Sequence, residues 1–292
     1  MSVVLAQSIA NGVMLGSLYG LVAAGLALIF GVVGVPQFAL GAFAMVGAYA
    51  TYFCTTALGL NYWIALVIAG GFVGIVGVAV HAAVFRPMEK GPGVNMFIAA
   101  FGVLLMLQSL AILVFGTRYF RVAPPIGGSI SFGGVFLTPQ RLIVIVVALA
   151  LIVSLHVLIM RTRLGACIRA VSDNPAGAAI VGINVGAVGL ATMAIGSAMA
   201  GIAGGLIAPI GQVFPAMGDL LVIKAFVVVV LAGMGSIRGA LISGYALGLA
   251  ESLGGMYVSL AYQDAMAFVL LLLVLLLRPN GLFGKANGAG LT

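Results

Sequence analysis

Charged residues are scarce in this chain. Asp, Glu, Lys and Arg together make up 6% of its 292 residues, whereas a soluble domain carries about 25%. With so few charges the chain cannot cover a water-exposed surface with polar groups. The hydrophobic fraction of 64% and the mean hydropathy of +1.33 instead predict insertion into a membrane.

Motifs for catalysis or cofactor binding are also missing. The sequence contains no Ser/His/Asp order, no paired carboxylates and no Gly-rich phosphate loop ending in GK[ST]. Its two cysteines, Cys54 and Cys167, fall in different environments, so neither a disulfide nor a metal site is expected. We therefore expect no enzymatic activity, no cofactor and no metal. The N-terminus has no basic region or cleavage site typical of a removable signal peptide.

Apolar segments of membrane-crossing length dominate the chain. Each crossing needs about 20 mostly apolar residues. The pattern predicts an all-α polytopic membrane protein with about eight to ten transmembrane helices in a single domain, residues 1–292. The predicted spans are 9–30, 37–58, 63–85, 95–116, 141–160, 186–208, 219–235, 238–254 and 258–278.

The net charge of +7 comes from short loops, as in the positive-inside pattern of membrane proteins. Nucleic-acid binding would instead need a polar face that displays the basic residues, so no nucleic-acid partner is expected. If the spans alternate, eight basic residues share one side, which is predicted to be cytoplasmic: Arg86, Lys90, Arg161, Arg163, Arg169, Arg238, Arg278 and Lys285. Three others, Arg118, Arg121 and Arg141, are placed outside. Nine spans put the N-terminus outside and the C-terminus inside.

Residues 117–140 form the largest segment predicted on the outer side. Two tandem prolines and two Gly-Gly pairs surround the alternating stretches SISF and VFLT. Gly pairs between alternating stretches are typical of β-hairpin turns. We expect a small hairpin lying on the outer surface.

Glycine is abundant and follows two patterns. Gly12, Gly16 and Gly20 recur every four residues, and Gly70, Gly74 and Gly77 give the third span a similar face. Such faces favour tight helix packing, with lining of a solute path as the weaker alternative. Two other clusters break the helical pattern at membrane depth, where irregular backbone needs shielding by protein or a cavity. Their residues, candidates for a path between two related halves, are Gly31, Gly34, Pro36, Gly41, Gly233, Gly235 and Gly239.

Four ionisable residues lie within or beside the last three spans: Asp219, Lys224, Glu251 and Asp264. Ionisable groups in a span are costly and often functional. The predicted topology places all four towards outer helix ends, which favours snorkelling to the interface or a local ion pair. Lys224 is the strongest candidate for a role in the path, and Asp219, five residues earlier, is its predicted partner.

Residues 161–185, here called the basic segment, could not lie in lipid. The segment is amphiphilic, carries Arg161, Arg163, Arg169 and Asp173, and separates two apolar spans. A helix-forming basic segment of this size is expected to present a cytoplasmic surface on which another protein acts.

The basic segment and its neighbours together resemble a known family. The stretches that carry the resemblance are ANGVMLGSLYGLVAAGLALIFGVVGVPQFALGAFAMVGAY, RTRLGACIRAVSDNPAGAAIVGINV with the following GLATMAIGSAMAGIAGGLIAP, KAFVVVVLAGMGSIRGALISGYALGLAES and LLLRPNGLFG. Over nearly the whole chain they resemble the permease subunits of bacterial branched-chain amino-acid ABC importers, the LivH/LivM family. The compact length is similar to the LivH type.

The resemblance implies an inner-membrane protein that lies in lipid and works with several partners. It implies a second, LivM-like permease subunit, two cytoplasmic ABC ATPases and a periplasmic amino-acid-binding protein. The basic segment would be the coupling helix that docks on an ATPase. At the positions of the family's EAA…G pattern the chain has Ala176, Gly177, Ala178 and Gly182, without the acidic residue. Arg118 and Arg121 would meet the binding protein, or equally lipid phosphates.

Three alternatives stay open at the level of sequence. An ion-coupled secondary transporter or facilitator would work alone, but it should carry acidic or His residues near the midplane. A structural scaffold has no reason to keep broken helices in the bilayer. An ABC permease for urea or amides has the same architecture, because solute choice in such a family rests mainly with the binding protein.

Overall fold

The computed structural model describes most of the chain. The described residues are 2–34, 37–88, 91–128, 130–132, 135–233, 235–257, 259, 262–278 and 281–283. Pro36, Lys90 and Lys285, named above as candidate path or orienting residues, lie outside these ranges.

The described residues are almost entirely helical. In the first half of the chain the helices are α1 (Ser2–Val33), α2 (Ala39–Thr56), α3 (Tyr62–Val80), α4 (Arg86–Met88) and α5 (Gly93–Phe115), with a π-helical turn at His81–Phe85 between α3 and α4. In the second half they are α6 (Pro139–Arg161), α7 (Arg163–Asp173), α8 (Pro175–Ile180), α9 (Val185–Ile207), α10 (Met217–Ala232), α11 (Ile237–Tyr257) and α12 (Gln263–Leu277). The predicted all-α class is confirmed.

Each of the nine predicted spans contains a helix, but the helices differ in length. Among the described residues, five helices are individually long and apolar enough to cross a membrane: α1, α3 with its extension, α5, α6 and α9. The seventh and eighth predicted spans, α10 and α11, form one bent pair with 118° between their axes, as in a broken span or a re-entrant loop. Counting α10 and α11 as two full crossings therefore overestimates the number of membrane spans in this region.

The outer hairpin marks one end of the bundle. Strands β1 (Ile130–Phe132) and β2 (Val135–Leu137) pair antiparallel, as the Gly-pair pattern predicts. The Gln7 side chain exchanges hydrogen bonds with the Phe136 backbone, and Arg141 donates to Asn11. The N-terminal part of α1 therefore lies at the hairpin end, and the predicted spans likewise place the N-terminus and residues 117–140 on the same side.

The basic residues gather at the opposite end. Arg86 lies beside Gly186, at the start of α9, and the Arg238 guanidinium lies 3.2 Å from the His156 ring nitrogen in α6. Arg278 is followed by a segment that packs on Gly233. These residues and the basic segment thus share one end of the molecule, as the charge pattern predicts. We call it the basic end, and the hairpin end the outer end.

Glycine allows α1 to contact α11 backbone to backbone. A Cβ on Gly16 would lie 2.7 Å from Tyr245 Cα, and a Cβ on Gly248 would lie 2.6 Å from Gly16 Cα. Gly12 and Gly244 meet the facing helix in the same way. Helices in lipid associate through such close packing, because lipid tails are as apolar as the side chains. The packing interpretation of the first glycine series holds.

The second glycine series joins α3 to α9. A Cβ on Gly70 would lie 2.7 Å from the Ile202 side chain, and one on Gly77 would lie 2.6 Å from Ser197 Cβ. On the other side of α9, Gly196 contacts α1 at Gly25. α1 is the most enclosed of the five long helices. In its most apolar 18-residue stretch 83% of the residues are buried inside the protein, compared with 28% for α5 and for α6. The core therefore centres on α1 and α9, while α5 and α6 lie at the periphery.

A short segment near the C-terminus completes the break between α10 and α11. Gly233 and Gly235 have φ of +87°, a backbone conformation that favours glycine. The last carbonyls of α10 have no partner within the helix. The backbone N–H groups of Leu282 and Phe283 donate to the carbonyls of Leu231 and Ala232 at 2.8 and 3.0 Å. This capping segment, residues 281–283, supplies partners for two of the carbonyls at the end of α10.

The glycine contact between α1 and α11 predicts opposite outcomes for two substitutions. Gly248→Ala places a methyl group against the α1 backbone, so we expect a loss of about 1–3 kcal/mol from overpacking. Gly71→Ala, on the exposed side of α3 with no atom within 4 Å of its Cβ, should leave stability unchanged or raise it by up to about 1 kcal/mol. Thermal unfolding in detergent micelles measures both, and equal melting temperatures would contradict the packing assignment.

Candidate functional site

The basic segment folds into two short helices because three side chains cap helix starts. Thr162 accepts a hydrogen bond from the Gly165 N–H and begins α7. Asn174 accepts from the Gly177 N–H and begins α8, and Asn184 accepts from the Ala187 N–H and begins α9. Polar oxygens at the N-cap satisfy orphan backbone donors. The asparagines and threonine of this segment are therefore structural, which the sequence analysis did not recognise.

The basic segment is tied to the membrane helix that precedes it. The Arg169 guanidinium donates to the Ile159 carbonyl near the end of α6, where helix carbonyls otherwise lack partners. Ile168 and Val171 are buried beneath α7, and Ala178 is buried beneath α8. A force on the segment would therefore be transmitted directly to α6.

The exposed surface of the segment differs from the one predicted. Ile180 and Val181, at the end of α8, are 85% and 74% exposed, although neither was singled out from sequence. Ala176 is exposed as well, and Gly182 forms a turn with φ of +86°. Arg161, Arg163 and Asp173, elsewhere on the segment, also have exposed side chains.

A cavity at the basic end brings the two glycine-rich breaks together. It has a volume of about 220 Å³ and is lined by Gly31 of α1 and Gly235 of the α10–α11 turn. Arg169, Ser172 and Asp173 of α7 contribute its polar wall. This inner cavity therefore lies between the membrane helices and the basic segment.

The other glycines of the breaks have different roles. Gly34 follows α1 with φ of +75°, and Gly233 is buried at the α10–α11 turn. Gly41 packs on the Gly218 backbone, where a Cβ would lie 2.9 Å from the Val222 side chain. Gly239 packs on Ala232, whose carbonyl would lie 2.9 Å from a Cβ. These last two glycines contact protein backbone in the described structure and do not line the inner cavity.

Four side chains from four helices form a charge cluster at mid-length of the 32-residue α1. Its members are Tyr19 of α1, Lys224 of α10, Glu251 of α11 and Asp264 of α12. The Lys224 ammonium donates to Tyr19 Oη at 3.1 Å, Glu251 Oε2 at 3.0 Å and Asp264 Oδ1 at 2.8 Å. Tyr19 in turn donates to Glu251 Oε2 at 2.9 Å, and Lys224 Nζ lies 5.3 Å from the centre of the Tyr19 ring.

The cluster corrects two expectations for Lys224. Its predicted partner Asp219 instead accepts a hydrogen bond from Gln108 at 2.6 Å, since a spacing of five residues turns the two side chains away from each other on a helix. Lys224 is not at a helix end, and it is buried, as is Glu251. The sequence left two interpretations open, snorkelling to the interface and a local ion pair. The structure shows the ion pair. Tyr19 was missed, although a tyrosine within an apolar span was visible in the sequence.

Two cavities lie near the outer end, and one of them adjoins this cluster. One, the outer cavity, has about 210 Å³ and is lined by apolar side chains of α1 and α10, with Tyr19 and Lys224 as its polar groups. The second, also about 210 Å³, is lined by Gln140, Arg141 and the outer loop. Ile210 lines both. Arg118 and Arg121 are exposed on the outer loop and line neither.

A helix pair broken inside the bundle, cavities towards both ends and a structured basic segment joined to a membrane helix are the features of this polytopic membrane protein that suit a transport permease. A family described as "Branched-chain amino acid transport system / permease component" matches residues 8–275. The chain belongs to this family and is a multi-pass permease subunit of the inner membrane.

Curated relatives cover almost the whole chain. The permease protein LivH of the high-affinity branched-chain amino acid transport system is 36% identical in Salmonella typhimurium and in Escherichia coli, over 96% of this chain and 95% of the relative. BraD of Pseudomonas aeruginosa, described in the same terms, is 32% identical over 96% of this chain and 95% of its own length. These relatives are transport permeases.

A solved structure shares the fold. PsaBC from Streptococcus pneumoniae in complex with Fab matches with a TM-score of 0.52 at 11% identity, over 92% of this chain and 91% of that one. Identity at this level shows similarity of fold alone. The arrangement of helices is therefore one that a distant protein also adopts.

The different burial of the two carboxylates predicts unequal effects on stability. Glu251 is fully buried, whereas the Asp264 side chain is 61% exposed. Glu251→Gln removes the buried partner of Lys224 and should cost up to about 3–5 kcal/mol. Asp264→Asn should cost less, because the protein does not enclose that side chain and Lys224 keeps its buried partners. Unfolding of both variants in the same detergent measures the difference, and a larger loss for Asp264→Asn would contradict the assignment.

Proposed function

We propose that this chain is one of two membrane subunits of an ABC importer for branched-chain amino acids. The observation that carries the proposal is the family match over residues 8–275, supported by 36% identity to LivH. In this proposal the chain forms half of the translocation path, and a LivM-like permease forms the other half. A periplasmic binding protein delivers the amino acid at the outer end, and two cytoplasmic ATPases supply the energy.

The basic segment is the proposed contact with an ATPase. Ile180 and Val181 give it an exposed apolar tip, and Arg161, Arg163 and Asp173 of the same segment are exposed as well. Large exposed apolar groups with a polar rim are typical of protein interaction sites. Because Arg169 joins α7 to α6, movement of the docked segment would tilt membrane helices. Differential binding of the ATPases to two states then drives the transition.

Solute identity is tested with the complete transporter. We expect uptake of labelled leucine, isoleucine and valine by the two permeases, two ATPases and binding protein reconstituted together with ATP. The same assay with urea or an aliphatic amide in place of the amino acid tests the alternative that the chain is a permease for urea or amides. Uptake of urea or amide without uptake of branched-chain amino acids would overturn the proposed substrate.

Crosslinking tests the ATPase contact. In a background lacking Cys54 and Cys167, Ala176→Cys and Val181→Cys should form crosslinks with an ATPase subunit. Val181 is a better position than Gly182, whose φ of +86° makes any side chain strained. The matched control is Leu113→Cys, an 83% exposed apolar position in α5. Crosslinking at Leu113 alone, or labelling of Ala176 only from the periplasm, would overturn the placement.

The chain alone should not accumulate solute. It lacks a phosphate-binding loop in its sequence, so energy must come from partner subunits. Proteoliposomes that contain only this subunit, assayed with labelled leucine under a proton or sodium gradient, should show uptake no greater than empty liposomes. Gradient-driven accumulation would favour an ion-coupled secondary transporter.

A further inference from the structure

The outer cavity has the shape and chemistry of a site for a small amphipathic solute. Its volume of about 210 Å³ is below the roughly 300–1,000 Å³ of pockets for drug-sized ligands. Its apolar wall is formed by Met14, Leu15, Leu18, Ile207, Ile210, Leu220 and Leu221. The polar groups, Tyr19 and Lys224, both belong to the charge cluster, and Glu251, which does not line the cavity, lies behind them and accepts a hydrogen bond from each. An apolar wall with a charged end fits a solute that has the same two parts.

One of the three hydrogen bonds that the Lys224 ammonium donates can be exchanged for a bond to another acceptor. An ammonium group has three donors, and Tyr19, Glu251 and Asp264 accept them. Tyr19 and Glu251 are buried, whereas the Asp264 side chain is 61% exposed. Asp264 is thus the one acceptor that the protein does not enclose. Another carboxylate could therefore replace it without opening the buried part of the cluster.

Glu251 has an acceptor that the cluster leaves unused. Its Oε2 accepts hydrogen bonds from Tyr19 and Lys224. Its Oε1 is buried and has no hydrogen-bond partner among the described residues. Buried polar atoms normally have a partner, and a buried carboxylate oxygen without one is costly. For an ionised Glu251 the missing partner is a donor, and a cationic donor would satisfy it best.

We propose that the charge cluster is a transient binding station for the zwitterionic head of a transported α-amino acid, which deepens and rests on the function proposed above. The solute carboxylate replaces Asp264 on Lys224. The solute ammonium donates to Glu251 Oε1, and the aliphatic side chain lies against the apolar wall of the outer cavity. Asp264 is released to the exposed side and re-forms its bond when the solute leaves.

Charge balance supports the exchange. With one ammonium and two carboxylates, the cluster carries a formal charge of −1. A zwitterion adds no net charge, and the carboxylate that it displaces is the one that the protein does not enclose. Binding is weak because one carboxylate is exchanged for another, which suits a site that must release its solute. Urea and neutral amides lack the carboxylate, so the station favours amino acids over them.

Protection from labelling tests the station directly. The membrane complex without binding protein or nucleotide carries Ile210→Cys in the cysteine-free background, and a small thiol reagent labels it. We expect about 10 mM leucine to slow labelling at least fivefold. Leucinol, which lacks the carboxylate, and isocaproate, which lacks the ammonium, should slow it less than twofold. The matched control, Leu113→Cys in α5, should be unaffected by all three.

Two outcomes of this experiment would overturn the proposal. Equal protection by leucine and leucinol would show that the cavity does not recognise a carboxylate. An absence of protection by leucine would show that the cavity is not occupied. In the Asp264→Asn variant, which removes the competing carboxylate, the leucine concentration for half-protection should fall at least threefold. An unchanged concentration would overturn the exchange step.

A charge-neutral variant tests the role in transport. Lys224→Met combined with Glu251→Gln leaves no unpaired buried charge, so the protein should insert normally. We expect at least a tenfold loss of leucine uptake by the complete transporter and loss of leucine protection at Ile210→Cys. Lys224→Arg keeps the positive charge and the hydrogen-bond donors. It should therefore retain part of the leucine uptake and part of the leucine protection.

The two proposals fail in different ways. Uptake by the double variant within twofold of wild type would overturn the station and leave the importer function standing, with the cluster serving only to join four helices. If the unmodified complete transporter took up no branched-chain amino acid, the proposed function itself would fail. The labelling experiment uses the intact cluster, so it decides the matter even if the double variant does not insert.

Discussion

The close contact between the backbones of α1 and α11 is the constraint on which the rest of the molecule depends. In lipid there is no hydrophobic driving force between helices, so association needs surfaces that approach closely. Gly16 and Gly248 bring the two backbones together. The same contact places Tyr19 of α1 within 2.9 Å of Glu251 of α11. A larger residue in this seam would separate the helices and open the charge cluster as well.

The charge cluster and the α10–α11 break both place polar groups inside the bilayer, and the two differ in how these groups find hydrogen-bond partners. Polar groups inside a bilayer must be satisfied by protein or by water in a cavity. At the break, the capping segment supplies backbone donors to Leu231 and Ala232. In the cluster, Lys224 is satisfied by three acceptors, while one oxygen of Glu251 is left over. The break thus has partners for these two carbonyls, whereas in the cluster a buried carboxylate oxygen has no partner among the described residues. That oxygen is the reason for treating the cluster as a candidate binding site.

Sequence patterns predicted what depends on local periodicity. The helical segments, the outer hairpin, the two glycine seams and the gathering of basic residues at one end all follow from spacing and composition. The partners of Lys224 could not be predicted, because Glu251 and Asp264 reach it from other helices whose crossing angles no local pattern specifies. Ile180 was overlooked for a related reason: only the burial of Ala178 beneath α8 shows which face of that short helix points outward.

The capping segment also has a consequence for biogenesis. A nascent chain emerges from its N-terminus, and α10 and α11 enter the membrane while the Leu282 and Phe283 backbone donors are still to be translated. During that interval the carbonyls of Leu231 and Ala232 need temporary hydration or help from the insertion machinery. A ribosome that stops just before residue 281 would release a protein with its helices inserted and the break unfinished. Such a truncation would leave the Leu231 and Ala232 carbonyls without these donors, so the loss of residues that follow α12 would act on the turn between α10 and α11.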